Sequence, residues 1–175
     1  MKKQNTTLAS TGFNYSASNN AKVLILGSMP SIVSLEQQQY YANPRNCFWD
    51  IIEALFSIPR CLDYEQRLLQ LQSQNIALWD VVFQCVRKGS LDSNITQVKP
   101  NDFSKFYCDH SAVRHVFFNG KKAADLYKKK VAPYLPNNVQ LLTTTTLPST
   151  SPAHATITMQ QKLKQWRVIQ LATEN

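Results

Sequence analysis

Four short apolar runs, Val23 to Leu26, Ile76 to Phe83, Val113 to Phe118 and Val139 to Leu142, alternate along the chain with stretches of helical period. Runs of that length and composition are strand candidates buried on both faces. Phe48, Ile51, Ile52, Leu55 and Phe56 recur at helical spacing after the first run, and residues 63–72 offer a second helix. Residues 120–131 offer a third, with Ala123, Ala124 and Tyr127 inward, and Met159, Leu163, Trp166 and Ile169 stripe a last one. Strand then helix, repeated, predicts a three-layer α/β/α fold around a central, mainly parallel four-stranded sheet with right-handed crossovers. In that architecture ligands bind beyond the carboxyl ends of the strands.

At 175 residues the chain has the length of one domain with a core of its own. Residues 1–20, rich in Ser, Thr and Asn, read as an N-terminal tail or loosely packed lead-in, and 21–175 as a single domain. Lys+Arg 19 against Asp+Glu 11 leaves a charge of +8, which draws the protein toward polyanions such as a nucleic-acid backbone without naming a substrate. Cys47, Cys61, Cys85 and Cys108 are scattered, with no C-x-x-C pair and no histidine pattern of the kind that holds zinc or an iron-sulfur cluster. Buried reduced thiols, no metal and no cofactor are expected. No stretch is long enough to cross a bilayer, so no membrane partner is expected. A cytoplasmic monomer is the expectation, nuclear if the source is eukaryotic.

Two loops follow strand candidates. The first runs Gly27-Ser28-Met29-Pro30-Ser31 and on to Tyr40-Tyr41-Ala42-Asn43-Pro44-Arg45-Asn46-Cys47-Phe48-Trp49. The second is Leu147-Pro148-Ser149-Thr150-Ser151-Pro152-Ala153-His154-Ala155, a stiff hydroxyl-rich corner suited to gripping DNA phosphates, after which Thr156 is placed to begin the last helix. Together they resemble the paired active-site loops of the uracil-DNA glycosylase superfamily, with wording closest to its hypoxanthine (deoxyinosine) DNA glycosylase branch. The resemblance runs from about Ala21 to Trp166.

That resemblance implies a uracil-DNA-glycosylase-like fold and a partner, DNA containing a damaged or deaminated base. It implies metal-independent hydrolysis of the N-glycosidic bond, most directly of hypoxanthine, leaving an abasic site. Carried over by position, Tyr41 stacks on the flipped base with Tyr40 and Met29 beside it, and Asp80 reads the base edge. Asn46 with Ser28 is expected to steady the transition state, and Ser149, Thr150 and Ser151 to hold the DNA; His154 is a further candidate DNA contact to which the resemblance assigns no role. Many superfamily members have Asn or Asp between the residues equivalent to Ser28 and Pro30. Met29 stands there instead, and methionine neither activates water nor donates a hydrogen bond. In the hypoxanthine branch the second Asn of the Asn-Pro-x-Asn-x-Phe-Trp passage is the implied substitute, here Asn46. Neither loop contains lysine, which points to water rather than an amine as the nucleophile.

From the residues alone, other roles stand beside these. Tyr40 and Tyr41 also suit packing over the sheet, Asn46 also suits capping the helix it begins, and Asp80 also suits a strand-end turn or a pair with Arg87. Asn119 before Gly120 reads as plain turn chemistry, His154 as a structural or solvated histidine, and the lysine runs as solvated helix faces. Hypoxanthine and uracil both present a ring N–H beside a carbonyl, so Asp80 does not choose between them. If ionised it would exclude adenine and cytosine, whose corresponding ring nitrogen is an acceptor. A uracil or mixed deaminated-base glycosylase and a catalytically inactive damage-binding module remain open. A small-molecule α/β enzyme lacks the G-x-S-x-G elbow or Gly-rich phosphate loop that would favour it.

Overall fold

A parallel sheet of four strands forms the middle of the computed structural model, which describes residues 9–174. In chain order the strands are β1 (Ala9–Thr11), β2 (Val23–Gly27), β3 (Ile76–Asp80), β4 (Val82–Val86), β5 (Thr96–Pro100), β6 (His115–Asn119) and β7 (Thr143–Leu147). The helices are α1 (Ile32–Gln37), α2 (Phe48–Phe56), α3 (Tyr64–Ser73), α4 (Phe103–Asp109), α5 (Lys121–Lys130), α6 (Asn137–Gln140), α7 (Met159–Trp166) and α8 (Val168–Glu174). The parallel sheet has the order β3-β2-β6-β7, and every residue of β2 and β3 is buried. Strands covered on both faces do not alternate, which is why they appear as continuous apolar runs. The cover comes from α3 against β3, α8 against β2, α5 against β6 and β7, and α7 against β7 and α2. This is the expected three-layer architecture.

Three expectations about the bounds of the elements need correction. The last strand lies at 143–147 rather than 139–142, where Val139 belongs to the short helix α6. β7 is an edge strand of four threonines and a leucine, mostly exposed, so its β-branched residues carry the strand without an apolar signal. The run 76–83 is two strands broken at Val81. After the break the chain enters a second, antiparallel sheet of order β1-β4-β5, which takes the strand count beyond the four expected. The last helical stretch begins at Thr158, not Thr156. Thr158 and Gln161 form a reciprocal capping box there.

Residues 1–8 of the expected lead-in lie outside the described residues. From Ala9 on the segment is tied down rather than loose: β1 pairs with β4, Ser16 exchanges backbone hydrogen bonds with Leu78, and Trp79 Nε1 donates to the Phe13 carbonyl. Of the cysteines expected to be buried, only Cys85 is; Cys47 is half-buried, while Cys61 and Cys108 are exposed, all as free thiols.

Candidate active site

Because the four central strands are parallel, their carboxyl ends share one edge, and the register places Gly27 beside Asp80 and Asn119 beside Leu147. A cleft of about 600 Å³ opens over that edge, within the range of small-ligand sites. Its lining includes Ser28, Met29, Tyr40, Tyr41, Asn46, Asp80, Ser149, Thr150, Ser151 and His154, so every residue expected at the site reaches it. The two loops are joined directly: the Cys47 backbone N–H donates to the Thr150 carbonyl at 3.1 Å.

Asp80 sits at the floor, 3 % exposed, with Oδ2 buried and unpartnered. Burial, and then the charge of Asp92, push its carboxyl up to about 8, while Arg87 opposes the shift. Asp80 is therefore mostly a neutral acid at pH 7, able to donate as well as accept. The expected alternative, an ion pair with Arg87, is not formed: Arg87 Nη2 donates to the Pro30 carbonyl at 2.5 Å, and its Nε and Nη1 have no partner. Room for Asp80 comes from Gly27, since a Cβ there would lie 2.2 Å from Asp80 Oδ1 and 3.0 Å from Tyr41 Oη.

Tyr41 adopts φ +57°, a left-handed conformation costly for a residue with a Cβ. One face of its ring stacks on Phe48 at 4.0 Å and 20°, and the residue lines the cleft. Its hydroxyl is buried without a close partner. Burial and the neighbouring Asp80 hold the phenol well above its ordinary range, with Asn119 opposing. Tyr40 is a support as much as a wall. Its hydroxyl donates to the Asn14 carbonyl, and its backbone N–H and carbonyl engage Tyr64 and Trp49.

Asn46 serves as a helix cap from one position earlier than expected. The boundary residue of α2 is Cys47, and Asn46 Oδ1 accepts the Phe48 backbone N–H at 3.0 Å. That bond requires an acceptor, so it orients the carboxamide and leaves Nδ2 as the free donor at the cleft. Capping and a site role coexist in one side chain, with the oxygen engaged and the nitrogen available.

In the second loop Thr150 is not available to DNA. It is 1 % exposed; its N–H donates to Asn119 Oδ1 at 2.9 Å, and its hydroxyl accepts from Asn119 Nδ2 at 2.8 Å. Asn119 is accordingly more than turn chemistry: it is the buried bracket that pins this loop to the end of β6. The next residue, Gly120, has φ +96°, and a Cβ on it would stand 2.9 Å from that of Ser149. Ser149 and Ser151 keep partial exposure at the corner, and His154 is exposed at the rim.

Sequence reasoning missed two further members of the cleft wall. Arg45 is exposed in the first loop, beside Asn46. Asp92 belongs to a single 3₁₀ turn, Asp92–Asn94, and accepts a hydrogen bond from Ser28 Oγ at 2.6 Å. No local pattern marks Asp92 as anything other than a loop aspartate; only the fold carries it over β2.

The chain matches the family model of the uracil DNA glycosylase superfamily over residues 13–171. Two curated relatives are both named hypoxanthine DNA glycosylase. The one from Methanosarcina acetivorans is 38 % identical over 131 residues, covering 70 % of this chain and 83 % of that protein. The one from Methanosarcina barkeri is 35 % identical over 126 residues, covering 71 % and 75 %. A solution NMR structure from Methanosarcina acetivorans, provisionally titled a uracil DNA glycosylase, matches with a TM-score of 0.81 at 32 % identity, covering 96 % of this chain and all of that one.

Proposed function

Because the chain belongs to the uracil DNA glycosylase superfamily, we propose that it hydrolyses the N-glycosidic bond of a deaminated base in DNA, with hypoxanthine as the base and an abasic site as the product. The observation that carries the choice of edge is the pair of buried, unpartnered polar atoms at the cleft floor, Asp80 Oδ2 and Tyr41 Oη. Buried polar groups normally have partners, so two such atoms side by side await a polar ligand edge. Hypoxanthine presents one, an N1–H beside the O6 carbonyl. A neutral Asp80 accepts from the first and donates to the second.

Placement in the cleft supports the remaining roles. A base extruded from the duplex lies against Tyr41 with Met29 at its side. The Asn46 Nδ2 donor faces the cleft, where it offsets negative charge that develops as the base departs. Ser149, Ser151 and the exposed Arg45 hold the flanking phosphates, with His154 at the rim. All of these groups come from one chain, which supports action as a monomer alongside the DNA. The names of the two curated relatives support hypoxanthine over uracil.

The test is incubation of the purified protein, with chelator, with duplexes carrying deoxyinosine, deoxyuridine, deoxyxanthosine or no lesion, followed by alkaline cleavage at abasic sites. Release from deoxyinosine is the expected outcome. Release from deoxyuridine alone replaces the substrate and keeps the reaction. Lesion-selective binding without release overturns the assignment of a reaction.

A further inference from the structure

We propose that Asp92 is a catalytic carboxylate of this cleft, holding the attacking water and facing the positive charge that develops on the sugar. The inference rests on the glycosylase function proposed above. Hydrolysis of a glycosidic bond forms an oxocarbenium-like centre at C1′, and the step calls for an acceptor that orients water and takes its proton. Few groups lining the cleft can serve. Met29 has no such acceptor, and the oxygen of Asn46 is engaged by the Phe48 N–H. Asp80 is sealed into the floor, where burial favours its protonated form. Asp92 is half-exposed and lines the same cleft, with Oδ1 fixed by Ser28 Oγ at 2.6 Å. Two carboxyl groups in one site with such different surroundings are suited to two different tasks.

The 3₁₀ turn bearing Asp92 is anchored on several sides. The Ile32 backbone N–H donates to Ser90 Oγ at 2.9 Å, Asn94 Nδ2 donates to the Lys88 carbonyl at 2.9 Å, and Ile95 is buried below. Ser28 therefore acts as a positioning residue, aiming Asp92 from the end of β2. In the step, the C1′–N9 bond breaks with its electron pair leaving on the base, which takes a proton from solvent. The water oxygen bonds to C1′, and the water proton passes to Asp92 Oδ2 and then to solvent.

Asp92→Asn, Asp92→Glu and Ser28→Ala are compared with the native protein in single-turnover cleavage of deoxyinosine duplexes across pH. Affinity is measured separately with a duplex carrying 2′-fluoro-deoxyinosine, whose fluorine slows cleavage. Asp92→Asn is expected to lower the cleavage rate by about 10²–10⁴-fold with affinity held, and to abolish the acid limb of the pH profile. Asp92→Glu is expected to recover part of the rate, and Ser28→Ala to lose less than Asp92→Asn. An active native protein whose Asp92→Asn variant stays within about threefold of it, or loses rate and affinity together with an unchanged pH profile, overturns the assignment of Asp92 alone. A native protein that releases no base from any lesion overturns the glycosylase function and this assignment together.

Discussion

Gly27 and Asp80 are register partners on adjacent parallel strands, and the absence of a Cβ at residue 27 is what lets the Asp80 carboxyl lie over the sheet edge. A methyl group there would meet Asp80 Oδ1 at 2.2 Å, and the Tyr41 hydroxyl closes the other side at 3.0 Å. Gly27→Ala is therefore expected to cost about 1–3 kcal/mol of stability by overpacking. It is also expected to lower deoxyinosine cleavage by at least about a hundredfold, since a misplacement of about an ångström carries that penalty. Denaturant melts and single-turnover rates on the same preparation check both parts. A stable variant with native activity would show that Asp80 need not lie where it does.

Asp80 also makes stability depend on pH. In the folded protein its carboxyl keeps a proton up to about 8, against an ordinary value of 3.8. Between those values the unfolded chain binds fewer protons than the folded one, so the contribution from Asp80 falls as pH rises through the window and levels off above it. Asp80→Asn, which cannot ionise, is expected to be less sensitive to pH there than the native protein. Chemical denaturation at about pH 5, 7 and 9, two points within the fall and one above it, tests the sign. A native-minus-variant stability difference that grows as pH rises contradicts it.

The Asn119–Thr150 bracket predicts a loss that reaches the second loop as a whole. Asn119→Ala removes two buried hydrogen bonds, 2.8 and 2.9 Å long, and leaves the Thr150 N–H without a partner. The expected cost is about 2–3 kcal/mol. A double-mutant cycle with Thr150→Val should return a coupling of about 1 kcal/mol or more, because the residues share the bonds. DNA affinity should fall with the stability of the loop, and additive single effects would show that the bracket carries no coupling.

How far the fold could be read in advance depended on how completely each strand is covered. β2 and β3 are buried throughout and stood out as apolar runs, whereas Thr143–Leu147, with one face open at the sheet edge, did not. The antiparallel sheet was invisible because β5 is mostly exposed and β1 is three residues long. At the site, residues in the two loops were legible through their resemblance to a known pair of segments. Asp92 and Asn119 were not, since the importance of each comes from a partner far along the chain: Ser28 is 64 positions from Asp92 and Thr150 is 31 from Asn119. Thr150 was misassigned for the same reason, a hydroxyl in a polar loop being indistinguishable from an exposed one until its partner is known.

The lysine runs are expected to separate into a part that meets DNA and a part that does not. Lys121 opens α5, directly after Gly120, which itself approaches Ser149, whereas Lys128, Lys129 and Lys130 occupy the last turn of the helix. At a rise of about 1.5 Å per residue the two groups stand roughly 10–14 Å apart along the helix, the second pointing away from the carboxyl edge of the sheet. Arg45 lines the cleft, and Lys121 is exposed at the start of α5, just beyond the carboxyl end of β6. Removing one cation that neutralises a phosphate reduces the slope of log affinity against log salt by about 0.9 for duplex DNA. Arg45→Ala with Lys121→Ala is expected to reduce that slope by about 2. Alanine at 128, 129 and 130 together lowers the net charge by more, yet is expected to leave the slope and the cleavage rate unchanged. Titrating binding at several salt concentrations distinguishes a footprint from a general effect of charge: if the triple variant loses more slope than the double one, the DNA does not track the cleft edge.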